Sequence, residues 1–121
     1  MRILITGANR GIGKALLGTG RARGDTVTGT ARRADGLLPL DVTDPDSVRA
    51  MADAFGTGPL DLLICNAGVY LDKGQPMAEG YPADMWAATF AANVTGVFLT
   101  VQALLPNLRA AKGKIAILSS I

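Results

Sequence analysis

Histidine is absent from this 121-residue chain. That excludes a histidine-activated serine or cysteine nucleophile and most zinc sites, which rely on imidazole. Cysteine is nearly absent. Cys65 stands alone, so no disulfide can close within the chain, and a reducing cytoplasm fits. Charge of one sign is also scarce: Lys and Arg number 12 against 10 Asp and Glu, with no basic run longer than Arg32-Arg33. Such a balance leaves no electrostatic footprint for nucleic acid, and none is expected as a partner. No apolar run approaches membrane-spanning length. Met1-Arg2-Ile3-Leu4-Ile5 reads as a strand, without the longer apolar core and cleavage site of a signal peptide. The expectation is a cytoplasmic protein with no membrane partner.

What is present is a core and a rhythm. Apolar residues make up 49% of the chain, enough for one packed domain, though a domain of this size keeps a thin stability margin. Short apolar runs over residues 2–6, 26–30, 37–40, 60–65 and 114–119 read as strands. Helical spacing predicts helices between them. The first covers 12–22, weakened by Gly18 and Gly20 at about 1 kcal/mol each relative to alanine. The second is capped by Asp44 with Pro45 at its first position, and its inner face is Val48, Met51, Ala52 and Phe55. A third covers 82–92. A long fourth runs from about Asn93 to Ala110 and is bent or tightened by Pro106. Strands alternating with helices imply βαβ units. The fold class is therefore α/β, a Rossmann-type doubly wound parallel sheet with helices on both faces and five legible strands. Residues 68–80 are the longest irregular stretch.

Between the first strand and first helix lies Thr6-Gly7-Ala8-Asn9-Arg10-Gly11-Ile12-Gly13. Glycines let a backbone turn tightly and approach a pyrophosphate, and a helix N-terminus offers unpaired N–H donors and partial positive charge. Taken alone, a glycine cluster is often just a turn. With strand before and helix after, Gly7, Asn9, Arg10, Gly11, Ile12 and Gly13 become candidate phosphate-binding residues.

The pattern T-G-x-x-x-G-I-G at this turn resembles the cofactor signature of the short-chain dehydrogenase/reductase family, and every fixed position matches. Cys65-Asn66-Ala67-Gly68 follows the fourth strand, where the family carries N-N-A-G; the first position departs. The resemblance implies that Asn66, Ala67 and Gly68 support the sheet and the adenosine side of the cofactor, with the Asn66 carboxamide bonding the glycine turn. Cys65 reads as a small buried residue rather than a reactive thiol. Asp41-Val42 is similar to the family's D-V pair, whose aspartate contacts the adenine amino group; Asp41 could otherwise be an ordinary turn residue. Selection of NAD needs an acid at the end of the second strand. Here that strand ends Thr28-Gly29-Thr30-Ala31-Arg32-Arg33. Arg32 can offer a fork of donors to a 2′-phosphate, and Arg10 lies where NADP-preferring members often carry a basic residue. NADP is expected over NAD, although two solvated arginines would look the same in sequence.

Asn93-Val94-Thr95-Gly96 resembles the family's N-x-x-G, which implies that Asn93 supports a proton-relay water through a bent helix. Ser119-Ser120 resembles its I-S-S segment, which makes Ser120 the serine that would bond the substrate carbonyl. The family's proton-donating Y-x-x-x-K is missing: Tyr70 is followed four residues later by Gly74 and Tyr81 by Met85. Residues 1–121 therefore read as a dinucleotide-binding domain cut before that segment, and as part of a longer polypeptide. The implied activity is NADP(H)-dependent hydride transfer to or from a small carbonyl or alcohol substrate, in a protein that is a homodimer or homotetramer at full length. The 121 residues alone are expected to be inactive. Two rivals stay open: a non-catalytic NADP(H)-binding module or sensor, and an extended, epimerase-like Rossmann enzyme, against which N-A-G and the serine pair argue.

Overall fold

Runs of four to six apolar or β-branched residues cannot hold their own backbone groups, and here they pair. The computed structural model describes residues 1–33, 35–69 and 82–119. Its strands are β1 (Arg2–Ile5), β2 (Thr26–Ala31), β3 (Leu38–Pro39), β4 (Leu62–Cys65) and β5 (Lys114–Ile117). They form one sheet in the order β3-β2-β1-β4-β5, and every pairing is parallel. Ile3 lies beside Val27 on one flank and Leu62 on the other, and Leu63 beside Ile115.

The strand period of two sends alternate residues to opposite faces. Ile3, Ile5 and Val27 cluster with Ala8 and with Leu17 of helix α1 (Gly11–Ala22). Leu4, Leu63 and Cys65 go to the other face. There they meet Val48 and Met51 of α2 (Pro45–Phe55), and Leu104 and Leu108 around α5 (Leu105–Ala111). Two apolar clusters on opposite faces give the doubly wound architecture.

Helix α1 runs to Ala22 despite its two internal glycines, and one of them has a packing reason. A methyl group on Gly20 would lie 2.7 Å from Val27 Cγ2, so the close approach of α1 to β2 needs a residue without Cβ. Helix α2 begins as read: Asp44 accepts a hydrogen bond from the Asp46 amide at 3.0 Å, and Pro45 occupies the first turn.

The long-helix expectation needs correcting. No break separates 92 from 93. Instead α3 (Ala83–Phe90) passes through a π-helical turn (Ala91–Thr95) into α4 (Gly96–Ala103). The true break falls at Leu104, where the axis turns by 58° into α5. Pro106 is the cause: it lacks an N–H and its ring would collide with the Gln102 carbonyl, so it begins a new helix instead of bending the old one. Asn107 is buried and donates through Nδ2 to the carbonyls of Gly56 (2.8 Å) and Gly58 (2.7 Å), which fixes α5 to the turn after α2. Among the described residues no single helix is long and apolar enough to cross a membrane.

Candidate functional site at the strand-order reversal

β1 is the hinge of the topology. The chain leaves it towards β2 on one side and later returns to place β4 on the other. In such sheets the crevice outside the carboxyl ends of these two strands is where a ligand enters. An open cleft of about 840 Å³ lies there, walled by the glycine turn, the segments after β2 and β3, and the turn after β4.

The glycine turn is fixed by contacts that local sequence does not reveal. Gly7 has φ 67°, the left-handed region. A methyl group on Gly13 would run into the Gly7 carbonyl oxygen and lie 2.5 Å from Asn66 Nδ2. Asn66 Nδ2 donates to the carbonyls of Gly7 (2.9 Å) and Thr6 (3.1 Å). In return the Thr6 hydroxyl oxygen accepts from the amides of Asn66 (3.0 Å) and Ala67 (2.9 Å). Four bonds thus stitch the end of β1 to the end of β4. Above them α1 starts at Gly11. Arg10, its N-cap, makes no side-chain capping bond, and the first turn carries no acid. The contrast with α2, which caps itself through Asp44, leaves the leading amides of α1 for an anion.

Charges of both signs line the cleft: Arg10, Arg32 and Arg33, and Asp41 with its neighbours Val42 and Thr43. Asp41 Oδ1 accepts from the Thr43 hydroxyl at 2.6 Å and from the Thr43 amide at 3.0 Å. Its own amide donates to Ser47 Oγ at 2.8 Å. The hydroxyl bond first, and the amide bond second, hold the Asp41 carboxyl below its ordinary pKa; partial desolvation opposes them and the Arg32 charge assists. Asn93 of the π turn does not line the cleft itself, as its neighbour Ala92 does, but meets Val69 of the loop after β4. Asn93 Oδ1 accepts from the Val69 amide and Nδ2 donates to the Val69 carbonyl, both at 2.8 Å. Both ends of the carboxamide are therefore engaged with the backbone of one residue, across two successive peptide groups.

The sequence matches the family described as short chain dehydrogenase over residues 1–121. The chain belongs to that family. It is 37% identical to trans-4-hydroxycyclohexanecarboxylate dehydrogenase of Sinomonas cyclohexanicum, over 95% of this chain and 46% of that protein. Among solved structures, a short-chain dehydrogenase from Streptomyces avermitilis superposes with a TM-score of 0.87 at 30% identity, covering 98% of this chain and 49% of that one. An NADPH-bound carbonyl reductase from chicken fatty liver superposes at 0.81 with 26% identity, covering 94% and 57%. The chain spans about half the length of the curated relatives it matches.

Set in this short-chain dehydrogenase, the sequence-read residues converge. Gly7, Asn9, Arg10, Gly11, Ile12, Arg32, Asp41, Val42, Asn66, Ala67 and Gly68 all line the one cleft, and Gly13 packs directly behind it. Ser120 lies outside the described residues, as do Tyr70 and Tyr81. Cys65 is buried, and burial pushes its thiol from an ordinary 9.0 up to about 11, so it is a packing residue. Thr6 and Thr43 were missed. For Thr6 the signal was available: a hydroxyl at the end of a buried strand must find a partner, and its partners came from β4. Among the described residues, no group of three His, Cys, Asp or Glu could hold a metal ion.

Proposed function

We propose that this chain carries the coenzyme-binding half of an NADP(H)-dependent oxidoreductase acting on a small carbonyl or alcohol. The observation that carries the reading is the cleft at the strand-order reversal, which is lined both by an uncapped helix N-terminus and by three arginines. The donor set suits the dinucleotide. The leading amides of α1 and the Gly11–Gly13 backbone would hold the pyrophosphate, and Arg10 and Arg32 a 2′-phosphate. β2 ends at Ala31 and is followed by Arg32-Arg33, without the acid that would chelate both ribose hydroxyls. Asp41 would accept from the adenine amino group, and Asn66 through Gly68 would support the adenosine side. When bound, the nicotinamide supplies or accepts the hydride.

The chain's own groups do the rest by position. Ser120 would hold the substrate oxygen. Asn93, held by the N–H and carbonyl of Val69, would support a proton-relay water. A proton donor of the Tyr-x-x-x-Lys kind would come from residues beyond these 121. The NADPH-bound relative supports the 2′-phosphate assignment by likeness. The location proposed is the cytoplasm, which suits a lone reduced thiol.

We also infer a homodimer or homotetramer through the outer face of α3 and α4. Trp86, Phe90, Val94 and Phe98 are each 51–63% exposed. No charged residue occurs from Met85 to Leu108. In an uninterrupted α-helix, residues 86 and 98 would diverge by about 120°, at ~100° per residue. The extra residue of the π turn takes back about 100°, leaving the four side chains nearly in line. Their order is symmetric about the midpoint between Phe90 and Val94. Two copies packed antiparallel would set Trp86 against Phe98 and Phe90 against Val94, a self-complementary two-fold contact.

The cofactor reading is tested by titration calorimetry with NADPH and NADH. Arg32→Ala should weaken NADPH by roughly 10- to 100-fold, the worth of a charge-assisted bond, and leave NADH within about threefold. Equal weakening of both would remove the 2′-phosphate from this site.

A further inference from the structure

The turn between β3 and α2 is built around one carboxylate. Both of the Thr43 bonds to Asp41 fall on the same oxygen, Oδ1. Ser47 fixes the backbone of Asp41 from the far side. Oδ2 accepts no hydrogen bond from the described residues, and Asp41 borders the cleft together with Arg32 and Thr43. An ionised carboxylate can only accept. Left to rotate, this one would present either oxygen, or swing towards Arg32, whose charge it already feels.

We propose that Thr43 is a specificity-determining positioning residue: by occupying Oδ1 it leaves Oδ2 as a fixed acceptor in the cleft, which admits a 6-aminopurine and refuses a 6-oxopurine. The inference rests on the dinucleotide reading above, which already gives the adenine amino group to Asp41, and adds the residue that holds that acceptor in place. The chemistry is a matching of donors. An exocyclic amino group meets Oδ2 with an N–H. An oxo group in its place meets it with a lone pair, and two acceptors are left facing each other. Thr43 has a second effect. Because its hydroxyl holds Asp41 in place, the Arg32 guanidinium is not drawn into an ion pair and stays available to a phosphate. Loss of the hydroxyl should therefore blur two selectivities at once, amino over oxo and NADPH over NADH, although Thr43 itself need not touch the phosphate.

The probes are NADPH, NADH and the 6-oxo (hypoxanthine) analogue of NADPH, titrated into the full chain and into Thr43→Val, Thr43→Ser and Asp41→Asn. Thr43 is exposed, so the variants should fold, and thermal midpoints check this. Thr43→Ala replaces Thr43→Val if the latter does not fold. The unmodified chain should prefer the amino form by about tenfold or more, from the loss of one bond to a charged acceptor. Thr43→Val and Asp41→Asn should bring that ratio within about threefold of unity, Thr43→Val should also narrow the NADPH preference, and Thr43→Ser should restore both. If Thr43→Val keeps the ratio of the unmodified chain, Thr43 only shapes the turn and the inference is overturned. If the unmodified chain binds NADPH but does not distinguish amino from oxo, the acceptor role of Asp41 falls, and the inference with it. If it binds no adenine dinucleotide at all, the dinucleotide reading itself has failed.

Discussion

Helix α1 holds a matched pair of glycines on which one substitution should act with opposite signs. Gly18 is exposed, and a methyl group there meets nothing within 4 Å. Gly18→Ala removes backbone freedom from the unfolded chain and should stabilise by about 0.5–1 kcal/mol. Gly13 is buried behind the glycine turn. Its methyl would collide with the Gly7 carbonyl, which is backbone and cannot move aside alone, and would crowd Asn66 Nδ2. The bond from Asn66 to Gly7 would be lost, at about 1 kcal/mol, and overpacking would add about 1–3 kcal/mol. Against this stands the same propensity gain of up to about 1 kcal/mol. The net is about 1–3 kcal/mol of destabilisation. At roughly 4 °C per kcal/mol for a chain of this size, Gly13→Ala should melt about 4–12 °C lower and Gly18→Ala about 2–4 °C higher. Urea titration gives the free energies and calorimetry the NADPH affinity, which should drop for Gly13→Ala and hold for Gly18→Ala. Equal shifts of the same sign, or a Gly13→Ala stability within about 0.5 kcal/mol of the parent, would refute the argument that the turn depends on this contact.

Other outcomes follow from single features. Phe90→Lys puts a charge in the middle of the apolar stripe and should convert the oligomer to monomers by sedimentation; an unchanged mass would move the interface elsewhere. The Thr30 hydroxyl is buried and has no hydrogen-bond partner among the described residues, so Thr30→Val should raise stability by about 1 kcal/mol in urea unfolding, and a loss instead would mean that the hydroxyl is satisfied. Cys65 has a folded pKa raised from 9.0 to about 11. Below pH 9 both states hold the proton and the thiol has no pH effect. As pH rises from 9 to 11 the unfolded state releases its proton first, so about 2–3 kcal/mol of stability should be lost across that window. Cys65→Ala should flatten that slope, and an unaltered slope would assign it to other groups.

The fold was legible because its signals are local. A buried strand announces itself by an apolar run, and α2 by Asp44-Pro45. The glycine turn could be placed because strand and helix flank it. Strand ends moved by a residue or two: β4 starts at Leu62, not Leu60, because Leu60 spends its amide on the Asn107 carbonyl across the fold. The π turn was not legible from its own residues, although the resemblance implied a bent helix at Asn93. Ala91-Ala92-Asn93-Val94-Thr95 reads like any helical stretch, and what goes with its irregular geometry is the contact of Asn93 with Val69, 24 residues back. Asn107 has nothing in its neighbourhood to mark it, and it is buried because its partners are carbonyls about 50 residues away. Thr43 was within reach, since a hydroxyl two residues after an aspartate is a known local bonding pattern.

The stitching of Thr6 to Asn66 has a consequence for how the molecule is made. Of the five strands, the central one comes earliest in the chain, and one of its two neighbours lies 60 residues later. At about 5–20 residues per second on the ribosome, β1 would wait about 3–12 s with one long edge bare while β2 already covers the other. During that interval the nascent chain would carry a half-sheet whose open flank is Ile3, Leu4 and Ile5. This is the stretch of synthesis in which a chaperone that binds short apolar strands would find most to hold.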